Sequence, residues 1–124
     1  MIITDLNIFI GEISGNKPLL ALDLGQRKIG IALSNSGQTI AFPKIVMERI
    51  NISKDIGRLR VMVNENNVGG VVIGLPKNLD NSLNEYCEKV ESFAKKLYKK
   101  INLPILLYDE RFTTLQANKL LMEA

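Results

Sequence analysis

The 124-residue sequence contains no histidine and a single cysteine, Cys87. The absence of histidine excludes Ser-His-Asp and Cys-His catalysis by this chain, and any zinc site that needs a histidine ligand. A single cysteine cannot form an internal disulfide, which suits a reducing cytoplasm. Hydrolytic chemistry in this chain would therefore depend on carboxylates with a metal ion, or on lysine.

Long apolar runs are also missing. Residues 1–13 are interrupted by Asp5 and Glu12 and lack a basic start, so they do not resemble a signal peptide. No other run approaches membrane-spanning length. We therefore expect a cytoplasmic protein without a membrane segment. Apolar residues at helical spacing instead predict a short amphipathic helix in an N-terminal extension, residues 1–17, with a strand as the alternative. The spaced residues are Ile2, Leu6, Phe9, Ile10 and Ile13.

The charge balance is mildly basic, with 16 lysines and arginines against 13 acids and a net charge of +3. This charge permits an acidic partner such as nucleic acid but does not require one. The hydrophobic content of 46% and the charged content of 23% are those of a folded soluble protein. We therefore expect one domain, residues 18–124, after the extension.

Residues 19–33 consist of two apolar runs around a short polar turn, which predicts a β-hairpin. Asp23 lies inside the first run, where a buried charge is costly unless it is paired or binds a cation. Gly25 allows a tight turn, and Arg27 and Lys28 occupy its tip. This combination indicates a site for a metal ion and a phosphate. The alternative is an ordinary hairpin in which Asp23 caps its own turn.

The rest of the chain alternates predicted helices and strands. Pro43 favours an edge position or a bulge for the third strand. Ser53 is the expected N-cap of the next helix, and Arg58 is expected on its solvated face. The predicted elements are a strand at 39–47, a helix at 53–65, a strand within 68–76, a helix at 82–101, a strand at 104–108 and a helix from about 114. Together with the hairpin they predict an α/β fold with a mixed five-stranded sheet, three antiparallel strands followed by parallel β–α–β units.

Polar residues follow the carboxyl ends of the predicted buried strands. The strand within 68–76 ends near Gly74, and Asp109-Glu110-Arg111 comes directly after the last strand. Because ligands bind at the carboxyl ends of strands in open α/β sheets, we expect Asp23, Gly74 and Glu110 to converge on one edge. The alternative is that the two acids are solvated and that Thr113 or Thr114 caps the final helix.

Three stretches in the same order resemble the YqgF family, also called RuvX or Holliday junction resolvase. They are Leu22-Asp23-Leu24-Gly25 with Ile29-Gly30-Ile31-Ala32, then residues 72–80, then residues 109–114. The resemblance implies a ribonuclease H-like fold and a metal-dependent nuclease linked in bacteria to 5′-end processing of pre-16S ribosomal RNA. It also places Asp23 and Glu110 on the metal-binding acids of the family.

The resemblance and the residues together define a proposed site. Asp23 and Glu110 would hold Mg²⁺ or Mn²⁺ through oxygen ligands, with Asp109 supporting Glu110. Gly25, Gly30 and Gly74 would provide the backbone turns. The expected contacts to the nucleic-acid phosphates are Arg27, Lys28, Lys77, Asn78 and Arg111. Pre-rRNA is the expected partner, and the protein is expected to be a monomer or a homodimer.

The chain also departs from the family pattern. The family usually continues through a basic loop into another helix with a third acid, so we expect that C-terminal helix to be missing here. A non-catalytic RNA-binding module therefore stays open as an alternative, as does a DNA nuclease that acts on Holliday junctions. A phosphate-binding turn of the actin-like ATPases and sugar kinases is a further alternative, although those proteins need two such domains.

Overall fold

A mixed β-sheet with helices on both faces organises the protein. The computed structural model describes residues 2–13, 15–34, 45–75 and 81–109, with the backbone alone for residues 81–84 and 109. Within these ranges the strands are β1 (Ile2–Ile3), β2 (Leu19–Leu24), β3 (Lys28–Leu33), β4 (Ile45–Glu48), β5 (Gly70–Leu75) and β6 (Ile105–Asp109). The helices are α1 (Leu6–Glu12), α2 (Ile52–Glu65) and α3 (Asn81–Ile101).

The strand order across the sheet is β1-β6-β5-β2-β3-β4. The neighbours β2, β3 and β4 are antiparallel, whereas β5 pairs in parallel with both β2 and β6. Because β2, β5 and β6 run in the same direction, their carboxyl ends meet at one edge of the sheet. The predicted mixed α/β architecture, antiparallel first and then parallel, is confirmed.

The N-terminal segment differs from its prediction. Ile2 and Ile3 do not begin a helix but form β1, which pairs in parallel with β6. The helix starts only after Asp5, whose Oδ1 accepts hydrogen bonds from the backbone N–H groups of Asn7 at 2.8 Å and Ile8 at 3.2 Å. This N-cap fixes the start of the helix at Leu6 and leaves the preceding residues extended. The described sheet therefore has six strands rather than the predicted five.

Each face of the sheet has its own apolar cluster, because alternate residues of a strand point to opposite faces. The larger cluster lies between the sheet and the helices α2 and α3, and includes Leu22, Leu59 and Phe93. The smaller cluster lies under α1 and includes Phe9 and Leu19. Asp23 follows Leu19 by four residues and so shares its face, at the opposite end of β2.

Helix α2 begins earlier than predicted. Its N-cap is Asn51 rather than Ser53, since Asn51 Oδ1 accepts a hydrogen bond from the backbone N–H of Lys54 at 2.9 Å. An N-cap of this kind stabilises a helix by about 1 kcal/mol. The predicted stop at Asn66 and Asn67 is confirmed, and Asn67 has a φ of 53°, a left-handed conformation that asparagine tolerates.

Some predicted features lie outside the described residues. These are Pro43 with most of the predicted third strand, and the final helix from about residue 114. The described part of the third strand, β4, does lie at an edge of the sheet. Among the helices that the structure describes, none is long and apolar enough to span a membrane.

Candidate functional site

Asp23 lies in a row of residues that crosses the sheet near the carboxyl end of β2. Its partner on β3 is Gly30, and the register that pairs Leu22 with Ile73 brings Gly74 beside it on β5. Tyr108 is the partner of Gly74 on β6. Gly30 lies within β3 and Gly74 within β5, so neither glycine forms a backbone turn, and neither places a side chain beside Asp23. The prediction that Asp23 and Gly74 share one edge of the sheet is thus confirmed for these two residues.

The side chain of Asp23 is exposed, although its strand is otherwise buried. The flanking residues Leu22 and Leu24 are buried on the opposite face. The sequence argument was that a buried charge at this position must be paired or bind a cation, but its premise was wrong, because Asp23 is exposed. What the position does provide is an accessible carboxylate on a rigid strand.

The turn after Asp23 is closed by a hydrogen bond from the Gly25 N–H to the Lys28 carbonyl at 2.8 Å. A Cβ atom on Gly25 would lie 2.8 Å from that same carbonyl oxygen, which is closer than real Cβ contacts. None of the described glycines has a positive φ, so the backbone conformation alone does not require glycine at position 25. Glycine is required there because a Cβ atom would come too close to the Lys28 carbonyl oxygen. The turn exposes the side chains of Arg27 and Lys28, as predicted for a cationic tip.

A second aspartate, Asp55, forms a buried charge cluster next to this turn. Its side chain is fully buried in the first turn of α2. Oδ1 accepts hydrogen bonds from the Ile50 N–H at 3.0 Å and from Arg58 Nη2 at 2.7 Å, and Oδ2 accepts one from Arg49 Nε at 3.3 Å. Arg58 was expected on a solvated face, and this prediction was wrong because the carboxylate of Asp55 holds it.

The donors around Asp55 determine its protonation. Burial by itself would raise the pKa of the carboxyl group, since it disfavours the charged form. The hydrogen bonds from Ile50, Arg58 and Arg49 outweigh burial and lower the pKa below its ordinary value of 3.8. Asp55 is therefore a charged group near neutral pH, held entirely by the protein itself.

Sequence reasoning missed Asp55 and Arg49. The signal for Asp55 was present, because it lies four residues before the buried Leu59 and next to Ile56, on the apolar side of α2. An acid on the apolar side of a helix predicts a buried charge with an internal partner. Arg49 carried no local signal beyond the presence of Asp55 six residues later, since its contacts with Gly25 and Phe93 are with residues distant in the sequence.

Arg49 connects the buried cluster to the turn. Its Nη1 donates a hydrogen bond to the Gly25 carbonyl at 2.9 Å, and its backbone N–H donates one to the Arg27 carbonyl at 2.8 Å. The guanidinium also lies over the ring of Phe93 on α3, 5.5 Å from the centroid, within the range of a cation–π contact. A single side chain thus contacts the turn, α2 and α3.

Arg49 contributes to the lining of two cavities. One has a volume of about 520 Å³ and is lined by Tyr86 and Lys89 among others, and the second, of about 690 Å³, includes Arg27 and Lys28. Burial raises the pKa of the Tyr86 phenol, and the negative charge of Asp23 raises it further, whereas Arg49 lowers it. Asp23 itself is not among the residues that line either cavity.

Several predicted site residues lie outside the described residues: Glu110, Lys77, Asn78 and Arg111. For Asp109 the backbone is described, at the register position opposite Leu75, two strands from the end of β2. Within the described ranges, no group of three or more His, Cys, Asp and Glu side chains is placed to hold a metal ion. The accessible carboxylate of Asp23 has the oxygen donors that Mg²⁺ and Mn²⁺ prefer, so it fits as one ligand of such an ion.

Comparison with solved structures defines the class of fold. RuvC of Thermus thermophilus in complex with Holliday junction substrate aligns with a TM-score of 0.55 and 11% identity, over 76% of this chain and 65% of that chain. ROK hexokinase of Thermus thermophilus aligns with a TM-score of 0.50 and 17% identity, over 75% of this chain and 34% of that chain. The fold is the ribonuclease H-like α/β fold. At these identities the likeness concerns the fold alone, and proteins as different as RuvC and a hexokinase align with it.

The sequence comparison is more specific. Residues 17–124 match the family described as "RuvX: Holliday junction resolvase". A protein of Rickettsia peacockii named "Putative pre-16S rRNA nuclease" is 44% identical over 121 residues, which cover 98% of this chain and 79% of that protein. This chain belongs to the RuvX family, and the resemblance seen in its sequence is confirmed.

Proposed function

We propose that this protein is a metal-dependent nuclease that hydrolyses phosphodiester bonds of RNA during 5′-end processing of pre-16S rRNA. The observation that carries the proposal is the exposed Asp23 carboxylate, which stands between Gly30 and Gly74 beside a cationic turn. Membership of the RuvX family and the 44% identity to a relative named for pre-16S rRNA support this choice of reaction and substrate.

In this proposal Asp23 and Glu110 hold a divalent cation, Mg²⁺ or Mn²⁺, and Asp109 supports Glu110. Such an ion, when bound, lowers the pKa of water and stabilises the developing charge on a phosphodiester. The backbone of β2, which is paired on both sides, holds Asp23 in place, and the two glycines beside it on the neighbouring strands carry no side chain. Since the chain has no histidine, its own carboxylates are the suitable oxygen ligands.

The exposed Arg27 and Lys28 would contact the phosphate backbone of the RNA. Cationic contacts of this kind fix the register of a nucleic acid without reading its sequence, and they weaken as salt rises. Lys77, Asn78 and Arg111 are proposed for the same role on the sequence resemblance. A cleavage site would then be selected by the shape and the single-stranded character of the RNA.

The test is cleavage of a pre-16S RNA fragment that carries its 5′ leader, with Mg²⁺, with Mn²⁺ and with a chelator. The wild-type protein should cleave only with metal, and Asp23→Asn should abolish cleavage while leaving the fold intact. Glu65→Gln is the matched control, because Glu65 is also exposed but lies at the end of α2, five residues before β5 begins, toward the edge of the sheet opposite Asp23, and it should cleave normally. Full activity of Asp23→Asn would refute the role of Asp23, and wild-type binding without cleavage would identify an RNA-binding module.

A second candidate substrate is a four-way DNA junction, because the family description names Holliday junction resolvase. The same acids would serve a DNA phosphodiester equally well, so the geometry of the site does not separate the two substrates. Parallel assays on the RNA fragment and on a synthetic junction at equal salt decide between them. Faster cleavage of the junction would replace the proposed RNA substrate but leave the assignment of Asp23 in place.

A further inference from the structure

The side chain of Arg49 holds the turn that follows Asp23 through a hydrogen bond to its backbone. Arg49 Nη1 donates to the carbonyl of Gly25 at 2.9 Å, and Gly25 follows Asp23 by two residues. The same turn carries Arg27 and Lys28, which the proposed function assigns to phosphate contacts. The position of these groups relative to the rest of the site therefore depends on where Arg49 stands.

The guanidinium of Arg49 is in turn held at its Nε atom by the buried carboxylate of Asp55. Its Nε donates to Oδ2 of Asp55 at 3.3 Å, and the fully buried carboxylate of Asp55 is fixed by two further donors on Ile50 and Arg58. The guanidinium holds Nε and Nη1 in one rigid plane, so it can bond two acceptors on different sides in a defined relative position. Contact with the ring of Phe93 further restricts its orientation.

From these contacts we infer that Arg49 is a positioning residue for the proposed active site, which transmits the fixed position of Asp55 to the turn between Asp23 and Lys28. This inference rests on the proposed function for its catalytic consequence. The connection itself, from Asp55 through Arg49 to the carbonyl of Gly25, is independent of what the site cleaves.

Arg58 provides an internal control for this role. It also bonds the carboxylate of Asp55, at 2.7 Å, but its other hydrogen bond is to the Glu48 carbonyl at 2.7 Å and not to the turn. If the two arginines only neutralise Asp55, then equivalent substitutions should have equal effects. If Arg49 positions the turn, then only its substitution should disturb the site.

The experiment compares Arg49→Lys with Arg58→Lys by amide hydrogen exchange and by single-turnover cleavage. Lysine keeps the positive charge but has no rigid planar group that could bond both Asp55 and Gly25. For Arg49→Lys we expect exchange of the Gly25 N–H to rise about tenfold, because the turn opens locally. We also expect kcat, corrected for the folded fraction, to fall about tenfold, the effect of one lost charge-assisted hydrogen bond, with KM changed less. Arg58→Lys should leave both quantities close to wild type.

Equal behaviour of the two lysine variants in both measurements would overturn the inference. If Arg49→Lys is too unstable to assay, the rotation of the Arg49 guanidinium about its Nε–Cζ bond is measured in the wild-type protein by NMR. We expect slow rotation, because Nε and Nη1 are bonded to two different groups, and fast rotation, as for an exposed arginine, would also overturn the inference. If the wild-type protein cleaves nothing, the proposed function fails, whereas the exchange measurements still decide whether Arg49 holds the turn.

Discussion

Two aspartates of this protein, Asp23 and Asp55, are linked through Arg49 and its contact with the intervening turn, yet their surroundings are opposite. Asp55 is fully buried, and a backbone N–H and two arginines donate to its carboxylate. Asp23 is exposed on a strand, between two glycines of the neighbouring strands. The comparison shows that a buried acid can be completely satisfied by the protein, whereas the same side chain on a strand can stay accessible to solvent.

The difference assigns separate roles to the two residues. The carboxylate of Asp55 uses its hydrogen-bonding capacity within the fold, so its removal should cost stability. Asp23 contributes little burial, so its removal should leave stability almost unchanged and affect only the proposed chemistry. Each of the following substitutions or titrations tests one side of this contrast.

The largest expected effect is that of Asp55→Ala on the free energy of unfolding. Removing the carboxylate leaves Arg49 and Arg58 without their shared partner, which costs about 3 kcal/mol, at the low end for a buried pair because the two arginines keep 23% and 37% exposure. Asp23→Asn should change the free energy of unfolding by less than about 0.5 kcal/mol. Urea denaturation of both variants measures this, and equal destabilisation would remove the distinction between the two acids.

The next effect is that of alanine at Gly25. Its Cβ would lie 2.8 Å from the Lys28 carbonyl, so the turn must shift, at a cost of about 1–2 kcal/mol. Gly57→Ala is the matched control, because a Cβ at Gly57 has no atom within 4 Å and the residue lies inside α2. That control should stabilise the protein by about 1 kcal/mol. Thermal unfolding shows whether each variant is more or less stable than the wild type. If Gly25→Ala were more stable, the close approach of a Cβ atom to the Lys28 carbonyl would not hold.

A smaller effect is expected in the pH dependence of stability. The pKa of Asp55 is lower in the folded than in the unfolded protein, so the unfolded state binds more protons in the acidic range. The contribution of the ionised Asp55 to the free energy of unfolding is therefore fully present above the ordinary pKa of 3.8. It is lost as the pH falls through the lower pKa that Asp55 has in the folded protein. Asp55→Asn should flatten this part of the stability curve, whereas Asp23→Asn should not. If Asp55→Asn loses stability at acidic pH in the same way as the wild type, then other titratable groups dominate that loss.

The smallest expected effect concerns the phenol of Tyr86. Burial and the charge of Asp23 both raise its pKa above the ordinary value, so Asp23→Asn should lower it. The titration is followed by NMR of labelled tyrosine, with Tyr86→Phe to assign the signal, and Glu65→Gln as a control that should have no effect. An unshifted titration in Asp23→Asn would show that the charge of Asp23 does not act on the Tyr86 phenol.

Much of the fold was predictable because it depends on local patterns. Alternating and continuous apolar runs predicted the hairpin and the parallel strands, and the stop at Asn66 and Asn67 was visible in the sequence. The strand β1 was missed because two residues are too few to show the alternating hydrophobic pattern of a strand. Their pairing with β6 is also a long-range contact that no local pattern records. The N-cap Asn51 was missed because Ser53, two residues later, is an equally good capping residue.

The site was predictable only in part, for a related reason. Asp23, Gly25 and Gly74 stood out because acids and glycines are unusual in apolar runs. The exposure of Asp23 depends on which residues lie opposite on neighbouring strands, which is a matter of register between distant segments. The contacts of Arg49 span up to 44 residues of sequence, to Phe93, and no local pattern records them.

The most direct test of the account is Mn²⁺ binding to the intact protein, measured by electron paramagnetic resonance, for the wild type, Asp23→Asn and Glu65→Gln. The account predicts that the wild type binds the ion, that a Glu65→Gln control binds it equally well, and that Asp23→Asn binds it at least about tenfold more weakly. Equal Mn²⁺ affinity of Asp23→Asn and the wild type would contradict the claim that Asp23 is a metal-binding acid.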